Sequence, residues 1–181
     1  MLINGIEYKI ASTTEEIKKA YALVYENYIE KKFCNLDFHK MRIFLFDSLL
    51  TTRTFIAKDG EDVVATTTLV FDSAIGLPSD GIYKDRLDKL RNSGKSICEI
   101  SKLSSRRDLG AKALRILPYL FRSCWLYAKE INPHQIFCIM VEPQNEGFYL
   151  KSYFFENNSE IRIDHKAGEA QSILLEMPIN Y

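Results

Sequence analysis

Apolar side chains recur along the chain in helical and strand-like rhythms, and each rhythm predicts an element. The longest is helical: Ala113, Ile116, Leu117, Leu120, Phe121, Cys124, Tyr127, Ala128 and Ile131 share one face of a helix over 111–131. Pro118 inside it predicts a kink or a lost hydrogen bond. A second stripe, Ile17, Ala20, Tyr21, Val24, Tyr25 and Tyr28, follows Ser12, and Glu15 three residues on reads as a capping box. Shorter helical patterns cover 41–50, through Ile43, Phe44, Phe46 and Leu49, and 80–92, through Ile82, Tyr83, Leu87 and Leu90. Strand-like runs cover 6–11, 51–57 and 63–71, the last two joined across Asp59-Gly60, a hairpin signal. Residues 135–141 are apolar nearly throughout, as in a strand buried on both faces. A short helix with Phe148, Tyr149 and Tyr153 follows, and strands near 160–165 and 170–177 close the chain. The order is β–α–α–β–β–α–β–α–β–α–β–β. Its strand–helix–strand unit demands a parallel, right-handed crossover, so the fold class is α+β, a mixed sheet flanked by helices on both faces.

Composition narrows the function. The 181 residues suit one domain spanning 1–181, with no repeat, linker or low-complexity tract. Lys+Arg and Asp+Glu both number 24, which argues against nucleic acid as a partner. No stretch is long and apolar enough for a membrane span, and the opening residues do not read as a secretory leader, so the cytoplasm is the expected compartment. The four cysteines, Cys34, Cys98, Cys124 and Cys138, form no CxxC pair, and His39, His134 and His165 are scattered. Buried free thiols are expected rather than a metal site.

Candidate chemistry concentrates in residues 96–107. Ile97, Ile100 and Leu103 make this a strand, and Glu99 stands in its middle, where a carboxylate is disfavoured. The strand runs into Arg106, Arg107 and Gly110, then the long helix. Strand, basic turn and helix start form a natural anion cradle, because free N–H groups and the helix dipole converge there. An edge strand with a solvated Glu and a basic loop is the plainer alternative.

The element order, with a central strand, basic turn, long helix, strand and then Pro143-x-Asn145-x-x-x-Tyr149, resembles the GNAT acyltransferase superfamily. A narrower resemblance runs from about residue 50 to 155. Thr51-Thr52-Arg53-Thr54-Phe55-Ile56-Ala57, Thr66-Thr67-Thr68-Leu69-Val70-Phe71-Asp72-Ser73, Gly76-Leu77-Pro78-Ser79-Asp80, Leu87-Asp88-Lys89-Leu90-Arg91 with Gly94, and Glu99-Ile100-Ser101-Lys102-Leu103 are similar to the N-acyl amino acid synthases, relatives of the acyl-homoserine-lactone synthases.

The resemblance implies an enzyme moving a fatty acyl group, usually from acyl carrier protein, onto the amine of an amino acid. Glu99 matches the general base, and Tyr149 the tyrosine near the leaving sulfur. Asn145 matches the residue that binds the pantetheine arm, though it could instead cap the short helix. Tyr149 could equally be core. Lys102 stands where the family often has Arg, keeping the charge but losing the planar fork. Substrate contacts are expected from Ser101, Lys102, Leu103 and Ser104, with a backbone N–H near the strand's end as oxyanion donor. Donor phosphate contacts are expected from Arg106, Arg107, Gly110 and Lys112. Lys112 occupies a position where the common GNAT phosphate loop has a small residue, which leans towards the single phosphodiester of acyl carrier protein over the pyrophosphate of acyl-CoA. No tightly bound cofactor is implied; acyl carrier protein or acyl-CoA is a co-substrate. Arg106, Arg107, Lys112 and Arg115 could dock an acidic carrier or simply be a solvated helix start. Strand alternation puts Glu99 and Lys102 on opposite faces, so both reach one site only if a bulge turns one of them. The alternatives are an acyl-homoserine-lactone synthase, an acetyl-CoA-dependent acetyltransferase, and a GNAT-like acyl-binding module without turnover. The lactone branch has an N-terminal Trp, whereas Trp125 is the one Trp here.

Overall fold

In a computed structural model the chain is described over residues 1–178. The described residues form nine strands and four helices: β1 (Leu2–Ile3), β2 (Ile6–Ile10), α1 (Thr14–Glu30), β3 (Arg53–Asp59), β4 (Asp62–Phe71), α2 (Asp80–Asn92), β5 (Ile97–Ser105), α3 (Ala113–Ile131), β6 (Ile136–Val141), α4 (Glu146–Tyr153), β7 (Glu156–Asn157), β8 (Arg162–Asp164) and β9 (Ala170–Pro178). The chain packs as two compact units, Met1–Leu69 with Lys102–Tyr127, and Val70–Ser101 with residues 128–178. The elements β4, β5 and α3 each contribute residues to both.

In the first unit β1, β2, β3 and β4 pair antiparallel in that order, and Arg106 N donates to Val64 O (2.9 Å) beside them. The β3–β4 hairpin turns at Gly60, which adopts φ +57°, as Asp-Gly predicts. The core gathers Ala20, Tyr21 and Leu23 of α1 against Ile56 and Val63. On the tyrosine-rich face of α1, Tyr21 and Tyr25 are buried and Tyr28 is half-buried. Its capping box is built by Thr13 and Glu16, one residue later than expected. The Glu16 carboxylate accepts from the backbone of both Ser12 (2.9 Å) and Thr13 (3.4 Å) and is lowered to about 2, its Ser12 and Lys9 bonds outweighing burial.

The helix expected over 41–50 does not form. A single 3-10 turn, Leu45–Ser48, stands there instead. Phe44 is extended because its N–H donates to Asp47 (2.6 Å), and Ile43, Leu45 and Leu50 are exposed, so no buried stripe supports a longer helix.

In the second unit β5 and β6 run parallel, in register from Ile97↔Ile136 to Ile100↔Ile139, and β6 pairs antiparallel with β9. β7 and β8 both pair with β9. Residues 136–141 are almost entirely buried, as their apolar run predicts. Helix α2 is tied down by Tyr83, whose hydroxyl bonds the Ser172 (2.7 Å) and Glu160 (3.0 Å) carbonyls. Arg86 adds a two-pronged pair to Glu176 (2.5 and 2.6 Å). The sheet is mixed and the class α+β. Cys98, Cys124 and Cys138 are buried and Cys34 is half-buried, and none of the four is in a disulfide among the described residues. Among the described residues no helix is long and apolar enough to cross a membrane.

Candidate active site

Glu99 lies in the second unit, on β5, and is 1 % exposed. One carboxylate oxygen accepts both the backbone N–H (3.0 Å) and the hydroxyl (2.7 Å) of Ser79. Ser79 holds the N-cap position of α2, where a serine hydroxyl ordinarily accepts from the first helical turn. Here it makes no capping bond and turns to Glu99. Burial pushes the Glu99 carboxyl up to about 7; the Ser79 bonds oppose this, and the Asp80 charge adds to it. A carboxylate so placed can take and return a proton near neutral pH.

Tyr149 is also in the second unit, buried on α4. Its ring packs edge-on against Phe148 (5.3 Å) and Phe155 (6.1 Å), and lies 6.0 Å from Tyr153. Burial raises its hydroxyl above the ordinary tyrosine range, with Tyr153 adding to the rise, so it stays a proton donor. Asn145 is exposed at the N-cap of α4 and makes no side-chain cap bond, which removes the capping explanation for it. Ser101 is the last β5 residue of this unit and is half-buried.

Lys102, Leu103 and Ser104 belong to the first unit. Lys102 adopts φ +56°, a left-handed conformation inside a strand that interrupts the alternation assumed from the sequence. Its ammonium meets Asp47 at 2.5 Å, with both side chains almost wholly buried, and lies 4.1 Å from the Tyr21 ring centroid and 5.3 Å from that of Phe44. Burial lowers the Lys102 pKa, and Asp47 works against that. Tyr21 is pushed up to about 12 by burial and by Asp47. Ser104 is buried, and its hydroxyl has no hydrogen-bond partner among the described residues.

The basic turn is less free than its sequence suggests. Arg106 pairs with Asp108 and, at 3.5 Å, with Asp62; Arg107 pairs with Glu30 and donates to Glu26 O (3.3 Å). The turn Arg107–Lys112 is 3-10, broken at Gly110, whose φ of +48° and ψ of −126° suit glycine. Lys112 is exposed immediately before α3. An open groove of about 1050 Å³ lies in the same unit, lined among others by Lys18, Lys19, Leu36, Lys40, Arg106 and Arg107.

Sequence reasoning missed Ser79, Asp47 and Asp80 as site residues. Ser79 follows Pro78 at a helix start, and that was the available signal. Asp47 is three residues from the Phe44 N–H it accepts, but its pairing with Lys102 spans 55 positions and left no local mark.

The sequence profile of the N-acyl amino acid synthase FeeM matches residues 19–178. Among curated proteins no sequence matches. The structure is similar to that of FeeM from uncultured soil microbes (22% identity, 96% of this chain and 91% of that one, TM-score 0.82). It is also similar to the CoA-dependent acyl-homoserine lactone synthase BjaI (12%, 96% and 84%, 0.70). An acyl-CoA N-acyltransferase from Pseudomonas aeruginosa shares the same fold (13%, 94% and 98%, 0.66). With a family match over most of its length and the GNAT fold, this chain belongs to the FeeM family of N-acyl amino acid synthases and is an acyltransferase.

Proposed function

We propose that this chain transfers a long acyl group from a thioester to the amine of an amino acid or a similar small amine, with Glu99 as general base and Tyr149 as general acid. The observation that carries this reading is Glu99 buried in mid-strand with one carboxylate oxygen on both Ser79 donors, a setting in which burial pushes its carboxyl up to about 7. An ammonium substrate must lose a proton before it can attack, and a carboxylate with that affinity accepts it directly or through water. The new N–C bond forms as the carbonyl carbon becomes tetrahedral, and a backbone N–H is the proposed oxyanion donor. The C–S bond then breaks, the Tyr149 hydroxyl, still protonated, supplies a proton to the departing thiolate, and the second proton of the attacking nitrogen returns through water to the tyrosinate, leaving a neutral amide, a free thiol and a protonated Glu99 that gives its proton back to solvent.

The donor arm is phosphopantetheine, on acyl carrier protein or on CoA. The cations along the first unit's groove and the exposed Lys112 favour an acidic carrier. Asn145 is the proposed contact to the arm. Arg106, Arg107 and Gly110 form the turn assigned to the phosphate, although both arginines already have carboxylate partners.

The test combines one variant with a change of donor. E99Q is expected to lose about 10²–10⁴-fold of its acyl-transfer rate while remaining folded; an unchanged rate removes Glu99 as base. Palmitoyl carrier protein, palmitoyl-CoA and acetyl-CoA, each offered with the twenty amino acids, are expected to give N-acyl amino acids from the long-chain donors, read by mass spectrometry. Acetylation alone would make this an acetyltransferase, and a lactone product would move it to the lactone synthases.

A further inference from the structure

The loop between β4 and α2 is held by one arginine that uses its full bonding capacity. Arg91, in the last turn of α2, donates through Nε to Asp72 (2.7 Å) and through Nη2 to Asp72 (2.9 Å) and Asp80 (2.6 Å). Its Nη1 donates to Asp80 (2.7 Å) and Asp88 (2.8 Å). A guanidinium carries five N–H donors, and five bonds are made. Asp72 and Asp80 bracket the loop, so the arginine closes it. Asp80 also accepts the Leu77 N–H at 2.6 Å. The neighbouring turn is built around that carboxylate: Gly76 has φ +76°, and a Cβ there would lie 2.3 Å from Asp80 Oδ2. The residue before Asp80 is Ser79, fully buried, with both of its donors on Glu99.

We infer that Arg91 is a positioning residue for acyl transfer: by closing the loop through Asp72 and Asp80, it holds the N–H and hydroxyl of Ser79 on the Glu99 carboxylate. The role in the reaction rests on the reading of Glu99 as general base; the hold on Ser79 does not. Lysine cannot replace this arginine, since an ammonium has three donors and no planar fork to grip two carboxylates at once. Loosening the clamp withdraws donors that stabilise the charged form of Glu99, so its proton affinity rises and the acidic limb of the rate profile moves up with it. The charged and titratable groups around Glu99 are Asp80 from α2 and Cys138, its register partner on β6. One strand further lies Glu176 of β9 with its Arg86 partner. None of these changes identity in the variants below.

The experiment follows Glu99 itself. The full chain labelled with [δ-¹³C]glutamate is titrated by NMR, the Glu99 resonance being the one absent from E99Q. R91K keeps the charge but not the fork, and G76A keeps every charge while pushing on Asp80. Each is expected to raise the Glu99 midpoint by about half a unit or more. S79A should do the same, and R91K should add less in the S79A background than alone. Folded R91K and G76A with the wild-type midpoint would overturn the inference, as would full additivity of R91K with S79A. If R91K does not fold, G76A decides. Turnover separates the two readings. E99Q with the wild-type rate would end the base assignment while leaving the titration result standing; an inactive E99Q with an unmoved titration would end the clamp alone.

Discussion

Glu99 and Lys102 stand three positions apart in one strand and both are buried, yet their charges are met in opposite ways. Glu99 is met by the two donors of a serine and lies within the field of a second carboxylate, Asp80. Lys102 is closed against a counterion, Asp47, under two aromatic rings. A carboxylate answered by dipoles holds its proton towards neutrality and can change charge state during a reaction. An ammonium locked to a carboxylate is a fixed post that orders its surroundings. The kind of partner, more than depth of burial, separates a charge suited to chemistry from one suited to support.

The contrast can be broken most directly at Asp47. D47N leaves the Lys102 ammonium buried without its counterion and is expected to cost about 3–5 kcal/mol of stability in urea unfolding. The double change D47N/K102M should recover much of that. A loss below about 1 kcal/mol for D47N would mean that the pair behaves like a surface one.

A smaller effect sharpens the Glu99 side. The folded chain holds this proton up to about 7, whereas an unperturbed glutamate releases it near 4.5. Between those values the folded state binds more protons than the unfolded state, so this group makes stability fall as pH rises. E99Q should therefore be more stable than the wild type at pH 8, by on the order of 1–3 kcal/mol, and close to it at pH 4.5. Equal stability at both pH values would show that Glu99 ionises without penalty. The smallest expected effect concerns the groove cations. Raising salt from about 50 to about 300 mM should raise KM for an acyl carrier protein roughly three- to tenfold, less than free cations would give, because Arg106 and Arg107 already have partners. A salt-independent KM would remove the docking surface.

Periodicity carried the fold a long way. The helical spacing of Ile82, Tyr83, Leu87 and Leu90 placed α2 at its observed bounds, and the apolar run before Glu142 placed β6. It failed over 41–50, where the spacing was helical but the side chains were not buried together. It also could not see β1 or β7, each only two residues long. At the candidate site the unusual residue was legible, since a mid-strand Glu is conspicuous on its own. Its surroundings were not: Ser79 reaches Glu99 across 20 positions and Asp47 reaches Lys102 across 55. The left-handed φ of Lys102, which interrupts the regular strand backbone, likewise left no local sequence signal at a lysine.

The interleaving of the two compact units bears on how the chain is made. Each is assembled from separated stretches, so no single cut releases either one whole. During synthesis, residues 1–69 leave the ribosome without the strand end, turn and helix that complete their unit, and residues 70–101 must emerge before those arrive. Chain growth at about 5–20 residues per second makes that wait several seconds long. Tyr8 of β2 and Phe55 of β3, whose ring partners Tyr119 and Tyr127 lie on α3, are what a chaperone would meet uncovered on the nascent chain.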